Sequence, residues 1–428
     1  MACSRKVLIV AYHYPPEPAS GAQRMGYLAK YLSEFGWEPT VLTRRAPHRG
    51  VAETNVIRVG AAYRATIRAR RALPGRPHPA VSYLKARARE ILFVPDRAAP
   101  WIPLAVTAGL AAHRRERFDA ILSSAMPASV HVAAFCLKSL LCVPWLADYR
   151  DLWTGNPYVT LPPWRTSLEA WMERSMLGKA DRITTITSSL AAALESLHRR
   201  PAVAISNAID SDEWKDIPFE QPDRFRIVHA GTLYDGRRNP QRLLAQVSAL
   251  RREGVIRDVA LDFYGQDPGN LLELSRQYGL EDAVRYHGLV ERREAMRAER
   301  GAALLAIIQN DDPRTASEYG SKIFEYQAAG PRVLVTGPPA SVLRGYVEQH
   351  ALGWFAGSDD ELRAALRNAY EAYREGNYLR DVSVTPNARV LAEAFAASLD
   401  EIVTGSQVPE RRSTPVTGLD KSDSAILR

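Results

Sequence analysis

One rhythm constrains this chain more than anything else in it: short apolar runs alternate with amphipathic helical segments, and the alternation starts twice. Residues 6–11 (KVLIVA) read as a strand. A proline-bearing loop follows, then a helix over 21–35 whose Met25, Leu28, Ala29, Leu32 and Phe35 form one apolar stripe. Further strands are expected at 40–43, 120–123, 145–148, 183–187 and 202–206, with helices such as 129–141 and 166–178 between them. After a polar, proline-containing stretch at 210–224 the pattern restarts at 225–230 (FRIVHA) and continues at 260–264, 284–287, 304–308 and 332–335. Apolar strands separated by helices make a parallel sheet covered on both faces, and right-handed crossovers wind it in both directions. The expected fold class is α/β, with two Rossmann-like doubly wound domains over 1–206 and 207–385. A closing helix over 386–403 and a polar, disordered tail over 404–428 complete the chain. Its 428 residues suffice to bury two such cores without staples.

Cys3, Cys136 and Cys142 form no C-x-x-C pair, so a disulfide framework and a zinc ribbon both read poorly and a reducing cytoplasm fits. Past Met1 there is no small-residue cleavage site, and the longest apolar stretch, 130–147, is broken by Lys138 and Pro144. Neither a secretory signal nor a spanning helix is expected. The formal charge of +8 suits anionic partners without choosing among them; an arginine-rich surface with no partner would give the same number. Residues 44–89 hold about a dozen basic residues against a single acid, Glu53, and Arg64, Arg68 and Arg71 share a helical face. Two readings stand there: a basic flap for an anionic membrane or a lipid phosphate, or a solvated insertion.

Open α/β sheets bind ligands beyond the carboxyl ends of their strands, so the loops after the strands matter most. In the first (YHYPPEPASGA), Gly21 and Ala22 place bare backbone at a helix N-terminus, either as a seat for phosphate or as a tight turn. The second, DYRDLW, offers Arg150 for a phosphate and Asp151 as a polar catalytic group or a hold on an acceptor hydroxyl, unless Asp151 merely caps the next helix. The third, GTLYDGRRNP, runs from Gly231 and brings Arg237 and Arg238 to a helix start, where guanidinium forks suit a diphosphate; a surface arginine pair is the plainer alternative. The fourth, EYGSKIFEYQAAG, sets Lys322 and Glu325 three apart behind Gly320 and Ser321. There the carboxylate suits the two hydroxyls of a ribose and the lysine a phosphate, or the two form an ordinary ion pair worth about 0.2–0.5 kcal/mol. His131 and His287 lack a metal-ligand neighbour at useful spacing, so no metal is expected. P-loop, G-x-G-x-x-G, G-x-S-x-G and RNA-binding signatures are absent, which disfavours a nucleotidase, a dinucleotide dehydrogenase, a serine hydrolase and a nucleic-acid partner.

Taken in order, YPPEPASGAQR, WLADYRDLW, ADRITTITSSLAAAL, ISNAID, FRIVHAGTL, FYGQ, HGLV and SKIFEYQAAG resemble the loops of the family 4 retaining glycosyltransferases of the GT-B fold, in the branch that assembles surface polysaccharide. The resemblance covers residues 5–400. It implies two Rossmann-like domains facing a cleft, with the final helix crossing back onto the first, and a nucleoside diphosphate sugar held mainly by the second. Glu325 matches the family's ribose-binding glutamate, Arg238 its diphosphate-binding cation, and Ser321 and Lys322 lie over the same phosphates. Gly21 matches the glycine that approaches the donor phosphate, and Gly288 and Leu289 sit where the base rests.

What the resemblance implies is a cytoplasmic, hexosyltransferase-type enzyme, peripheral on the inner face of the membrane. It would need no cofactor and act on a hydroxyl acceptor, free or lipid-linked. Three departures stand out. Ser317 occupies the position eight before Glu325, where the family commonly has a second glutamate. Thr232 replaces an arginine after Gly231, and DYRD replaces a histidine that many members carry. They motivate an alternative, a catalytically inactive GT-B-shaped nucleotide-binding or scaffold protein.

Overall fold

The computed structural model describes residues 4–17, 20–45, 55–60, 93–156, 159, 161–234, 236–316, 320–382 and 387–405. They form two compact units. One runs to Ser206 and takes the chain back from Ala388; the other is Asn207–Asn387. Most of the basic stretch at 44–89, the serine at 317 and nearly all of the expected tail lie outside the described residues.

In the first unit seven strands lie parallel in the order β3-β2-β1-β4-β5-β6-β7. They are β1 (Arg5–Ala11), β2 (Trp37–Arg44), β3 (Val56–Val59), β4 (Ala120–Ala125), β5 (Trp145–Tyr149), β6 (Arg182–Thr185) and β7 (Ala202–Ala204). Val7–Ala11 are at most 1% exposed, because a central parallel strand carries helices on both faces and must be apolar throughout. The connectivity reverses between β1 and β4, which opens a crevice at their carboxyl ends. Val56–Val59 corrects the flap reading for those residues: they are a strand paired with β2, and Arg58 donates to the carbonyl of Pro15.

The last helix, Ala388–Thr404, belongs to this unit. Its Phe395 is fully buried and carries the Arg24 guanidinium 4.9 Å above its ring. Asp400 accepts from Arg5 at 2.5 Å and from the Trp37 indole at 2.9 Å, while Arg389 meets Glu34 and Glu401 pairs with Arg182.

The second unit repeats the plan with six parallel strands in the order β10-β9-β8-β11-β12-β13. They are β8 (Phe225–Ala230), β9 (Val259–Tyr264), β10 (Val284–Gly288), β11 (Leu304–Ile308), β12 (Val333–Thr336) and β13 (Gly353–Ala356). Phe225, Ile227, Leu261 and Phe263 face one apolar layer; Val228, Ala230, Tyr264 and Leu305 face the other. β8 and β11 pair only through Leu304–Ile227 and Leu305–Val228, so the sheet parts toward its carboxyl end at the reversal of strand order. Side chains fill the gap. The His229 Nδ1 donates to the Ala306 carbonyl at 2.9 Å, and the Ala230 amide donates to the Tyr326 hydroxyl at 2.8 Å.

Candidate functional site

Where β8 and β11 part, the chain turns through Gly231 and Thr232 into the loop that carries the arginines. Gly231 lies directly over the His229 ring: a Cβ there would sit 3.2 Å from Nε2. Arg238 is tied by its backbone amide to the Leu233 carbonyl, and its guanidinium stacks 4.8 Å over the Tyr234 ring. Its buried Nε has no hydrogen-bond partner, and no carboxylate pairs with it among the described residues. Arg237 is exposed. Burial, with the fields of Arg238 and Lys322, holds the His229 imidazole down at about 4 against the pull of the Ala306 carbonyl. Both cations therefore act on the same strand end.

Lys322 opens the Lys322–Ala329 helix, whose side against the sheet buries Ile323, Phe324 and Tyr326. The lysine is held between two carboxylates, Glu299 at 2.9 Å and Glu325 at 2.6 Å. Arg292 takes the other oxygen of Glu325 at 2.8 Å and binds Glu213 at 2.6 Å. Glu299 is wholly buried, and its second oxygen has no partner. Burial, then the nearby Glu325, push its carboxyl upward against the pull of Lys322. For Glu325 burial also works upward, but Lys322 and Arg292 outweigh it and keep the carboxylate ionised. The pair of Lys322 and Glu325 is thus the centre of a chain from Glu213 to Glu299, not an isolated contact on one helix. The Ser321 hydroxyl precedes the helix without capping it.

Beside this cluster, β10 ends in Gly288 at φ 74°, and Leu289 beyond it is 58% exposed. The turn is anchored from below: His287 bonds Asp262 at 2.7 Å and stacks on Tyr264 with ring centres 4.3 Å apart. An exposed leucine beside a fixed glycine turn offers an apolar shelf for a planar ring.

In the first unit the strand ends hold a different cluster. Asp148 is fully buried and accepts four bonds, two from Arg24 at 3.1 and 3.2 Å, one from Ser124 at 2.7 Å and one from Thr184 at 3.0 Å. Burial raises its carboxyl, and Arg24, Arg150 and Ser124 outweigh that and hold it below the ordinary range. Arg24 also donates to the carbonyls of Ile205 and Ser206.

Three sequence expectations change here. The buried carboxylate of the DYRD loop is Asp148, whereas Asp151 is exposed and caps no helix, the next one starting at Pro163. The backbone at Gly21 is not bare: the Arg150 guanidinium lies on it, so close that a Cβ at Gly21 would fall 1.7 Å from Nη1. Arg150 is kept there by Ser124 at 3.0 Å and the Met126 carbonyl at 3.2 Å, and Ala22 faces the core with no exposure. Glycine at 21 thus admits an arginine to the start of the Ser20–Tyr31 helix, where cation and helix terminus both favour an anion.

Arg292, Glu299, Glu213 and His229 are site residues that pattern reading missed. The available signals were slight: His229 interrupts an apolar strand, and Glu299 lies three residues after Met296 on the buried side of its helix.

Over most of its length the chain is built like several solved structures. A sucrose-phosphate synthase from Thermosynechococcus elongatus superposes with a TM-score of 0.67 at 16% identity, over 94% of this chain and 100% of that one. WaaG, a glycosyltransferase involved in lipopolysaccharide biosynthesis, superposes at 0.56 and 15% identity over 94% and 98% of the two chains. HepE from Anabaena, in complex with UDP, does so at 0.55 and 15% identity over 93% and 96%. Residues 21–208, most of the first unit, match the family model described as glycosyl transferase 4-like domain. The fold is GT-B, two parallel-sheet α/β units like those of WaaG and the sucrose-phosphate synthase. No curated protein sequence matches the chain. In this chain the doubly wound architecture and the strand-end clusters stand together, and no helix among the described residues is long and apolar enough to cross a membrane. No group of His, Cys, Asp or Glu suited to holding a metal ion occurs among the described residues.

Proposed function

We propose that this protein is a glycosyltransferase that moves a hexosyl group from a nucleoside diphosphate sugar to a hydroxyl acceptor with retention at the anomeric carbon, in the assembly of a cell-surface polysaccharide or glycolipid. The observation that carries the reading is Arg238, a partly buried cation without a carboxylate partner among the described residues, at the end of β8 and acting on the same histidine as Lys322. As the glycosidic bond breaks, the departing diphosphate gathers negative charge. Fixed cations and the start of the Lys322 helix stabilise that charge more than the ground state, which lowers the barrier. Cations of the chain itself fill this role, so the reading needs no metal. Each oxygen of Glu325 holds one cation and keeps a lone pair for a ribose hydroxyl, and Leu289 with Gly288 would carry the base. In the first unit Arg150 over Gly21 would meet an acceptor phosphate, with Asp151 beside it. The UDP bound to HepE supports a nucleoside diphosphate donor, and the role of WaaG supports the cell-surface context. A peripheral position on the cytoplasmic side of the membrane goes with that context.

The test is Arg238→Ala, assayed by slow hydrolysis of UDP-, GDP- and ADP-sugars and by calorimetry with the free diphosphates. Loss of one such donor costs about 10²–10³ in rate. Unchanged hydrolysis would remove Arg238 from the mechanism, and nucleotide binding without hydrolysis of any donor would favour the inactive alternative.

A further inference from the structure

The helix Pro163–Leu177 (PWRTSLEAWMERSML) is built inside out. A surface helix normally turns its aromatic residues inward and its carboxylates to water. Here Arg165, Glu169 and Glu173 are 3% exposed or less, while Trp164 and Trp171 are 46% and 61% exposed. The inner charges are satisfied within the unit. Arg165 pairs with Glu169 at 2.5 Å and donates to the carbonyls of Phe93 and Pro95 at 2.7 and 2.9 Å. Glu169 accepts from the Trp153 indole at 3.0 Å, and Glu173 from the Tyr149 hydroxyl at 2.6 Å and the Thr154 amide at 3.2 Å. The two tryptophans, seven residues apart, lie on one face about 10 Å from each other along the axis. Thr166, Ser167, Arg174 and Ser175 are exposed with them.

We propose that this face docks onto an anionic membrane surface, with Trp164 and Trp171 in the interfacial layer. Charge chooses the occupant. From Ser129 to Ala180 the acids are Asp148, Asp151, Glu169 and Glu173, and three of the four are buried, so Asp151 alone faces solvent. The cations Arg174 and Lys179 are exposed on the same stretch. Indoles settle at the boundary between lipid headgroups and acyl chains, and nearby cations add attraction to anionic headgroups. The chain reaches this helix from β5 through the DYRD loop. The inference rests on the peripheral position proposed above, not on the transfer chemistry.

The experiment is flotation of the full chain with vesicles of mixed phosphatidylcholine and phosphatidylglycerol, and with phosphatidylcholine alone. Wild type should float with the anionic vesicles, and less so as salt rises. The double variant Trp164→Ser, Trp171→Ser should lose about tenfold in bound fraction, with an unchanged melting temperature and unchanged donor hydrolysis in solution. Arg174→Glu should weaken binding to the anionic vesicles only. A wild type that stays with the soluble fraction, or a double variant that floats equally well, overturns the proposal. So does sedimentation showing a dimer that the double variant dissolves, since the face would then meet a second copy. Protein that floats but hydrolyses no donor contradicts the transfer reading and leaves the docking face standing.

Discussion

The two units solve the same topological problem with opposite electrostatics. At the strand ends of the first, Asp148 is saturated: four donors converge on it, and Arg24 spends its remaining hydrogens on backbone carbonyls. At the strand ends of the second, among the described residues, Arg238 has no counter-ion and Glu299 keeps an oxygen without a partner. A closed cluster holds structure together. An open one leaves electrostatic work for a ligand, which is why the donor reading falls on the second unit although both have the crevice of a doubly wound sheet.

The comparison breaks most readily at Asp148. Asp148→Ala would strand Arg24, 3% exposed, without its charge partner, and removing one member of a buried pair costs about 3–5 kcal/mol. Denaturant unfolding of the first unit should move by that amount; a shift below about 1 kcal/mol would mean that Asp148 is as dispensable as a surface ion. Arg238→Ala should do the reverse, lowering turnover and leaving stability nearly unchanged.

A sharper probe is pH. The Glu299 carboxyl is held above its ordinary value, so its contribution to stability is present below the unfolded value and fades as pH rises through the raised one. Glu299→Gln should therefore flatten the decline of melting temperature between about pH 4.5 and about 7, and an unchanged slope there would contradict this. The smallest effect comes from the histidines. Burial depresses His131 to about 3 and His198 and His229 to about 4. Each contributes stability above its unfolded value near 6.5 that is lost as pH falls toward the depressed value. His229→Gln should soften that acid loss in the second unit alone, as followed by amide hydrogen exchange.

What the sequence made legible was whatever the chain writes locally. The buried strands announced themselves through Val, Ile and Leu, and Lys322, Glu325 and Arg238 stood out because they follow strands. β3 and β13 did not. β3 is four residues with Arg58 among them, inside a basic run. β13 opens on Gly353 at φ 143°, where a Cβ would meet the Val333 carbonyl at 2.2 Å, so close strand approach chose a residue that no strand propensity favours. The partners of Glu325 were hidden for another reason. Arg292 and Glu213 come from other helices 33 and 112 positions away, and periodicity carries no signal for ion pairs made across the fold. The cover on Gly21 was hidden likewise, since it depends on where Arg150 turns after β5.

The returning helix Ala388–Thr404 has a consequence for how the molecule is made. Arg24, Arg5, Trp37 and Arg182 precede the second unit in the chain, yet Phe395, Asp400 and Glu401 reach them only after the whole second unit has been translated. A nascent first half on the ribosome lacks one wall and keeps an apolar strip in water until the second half has been synthesised. The early sheet must wait, half dressed, for the returning helix to arrive.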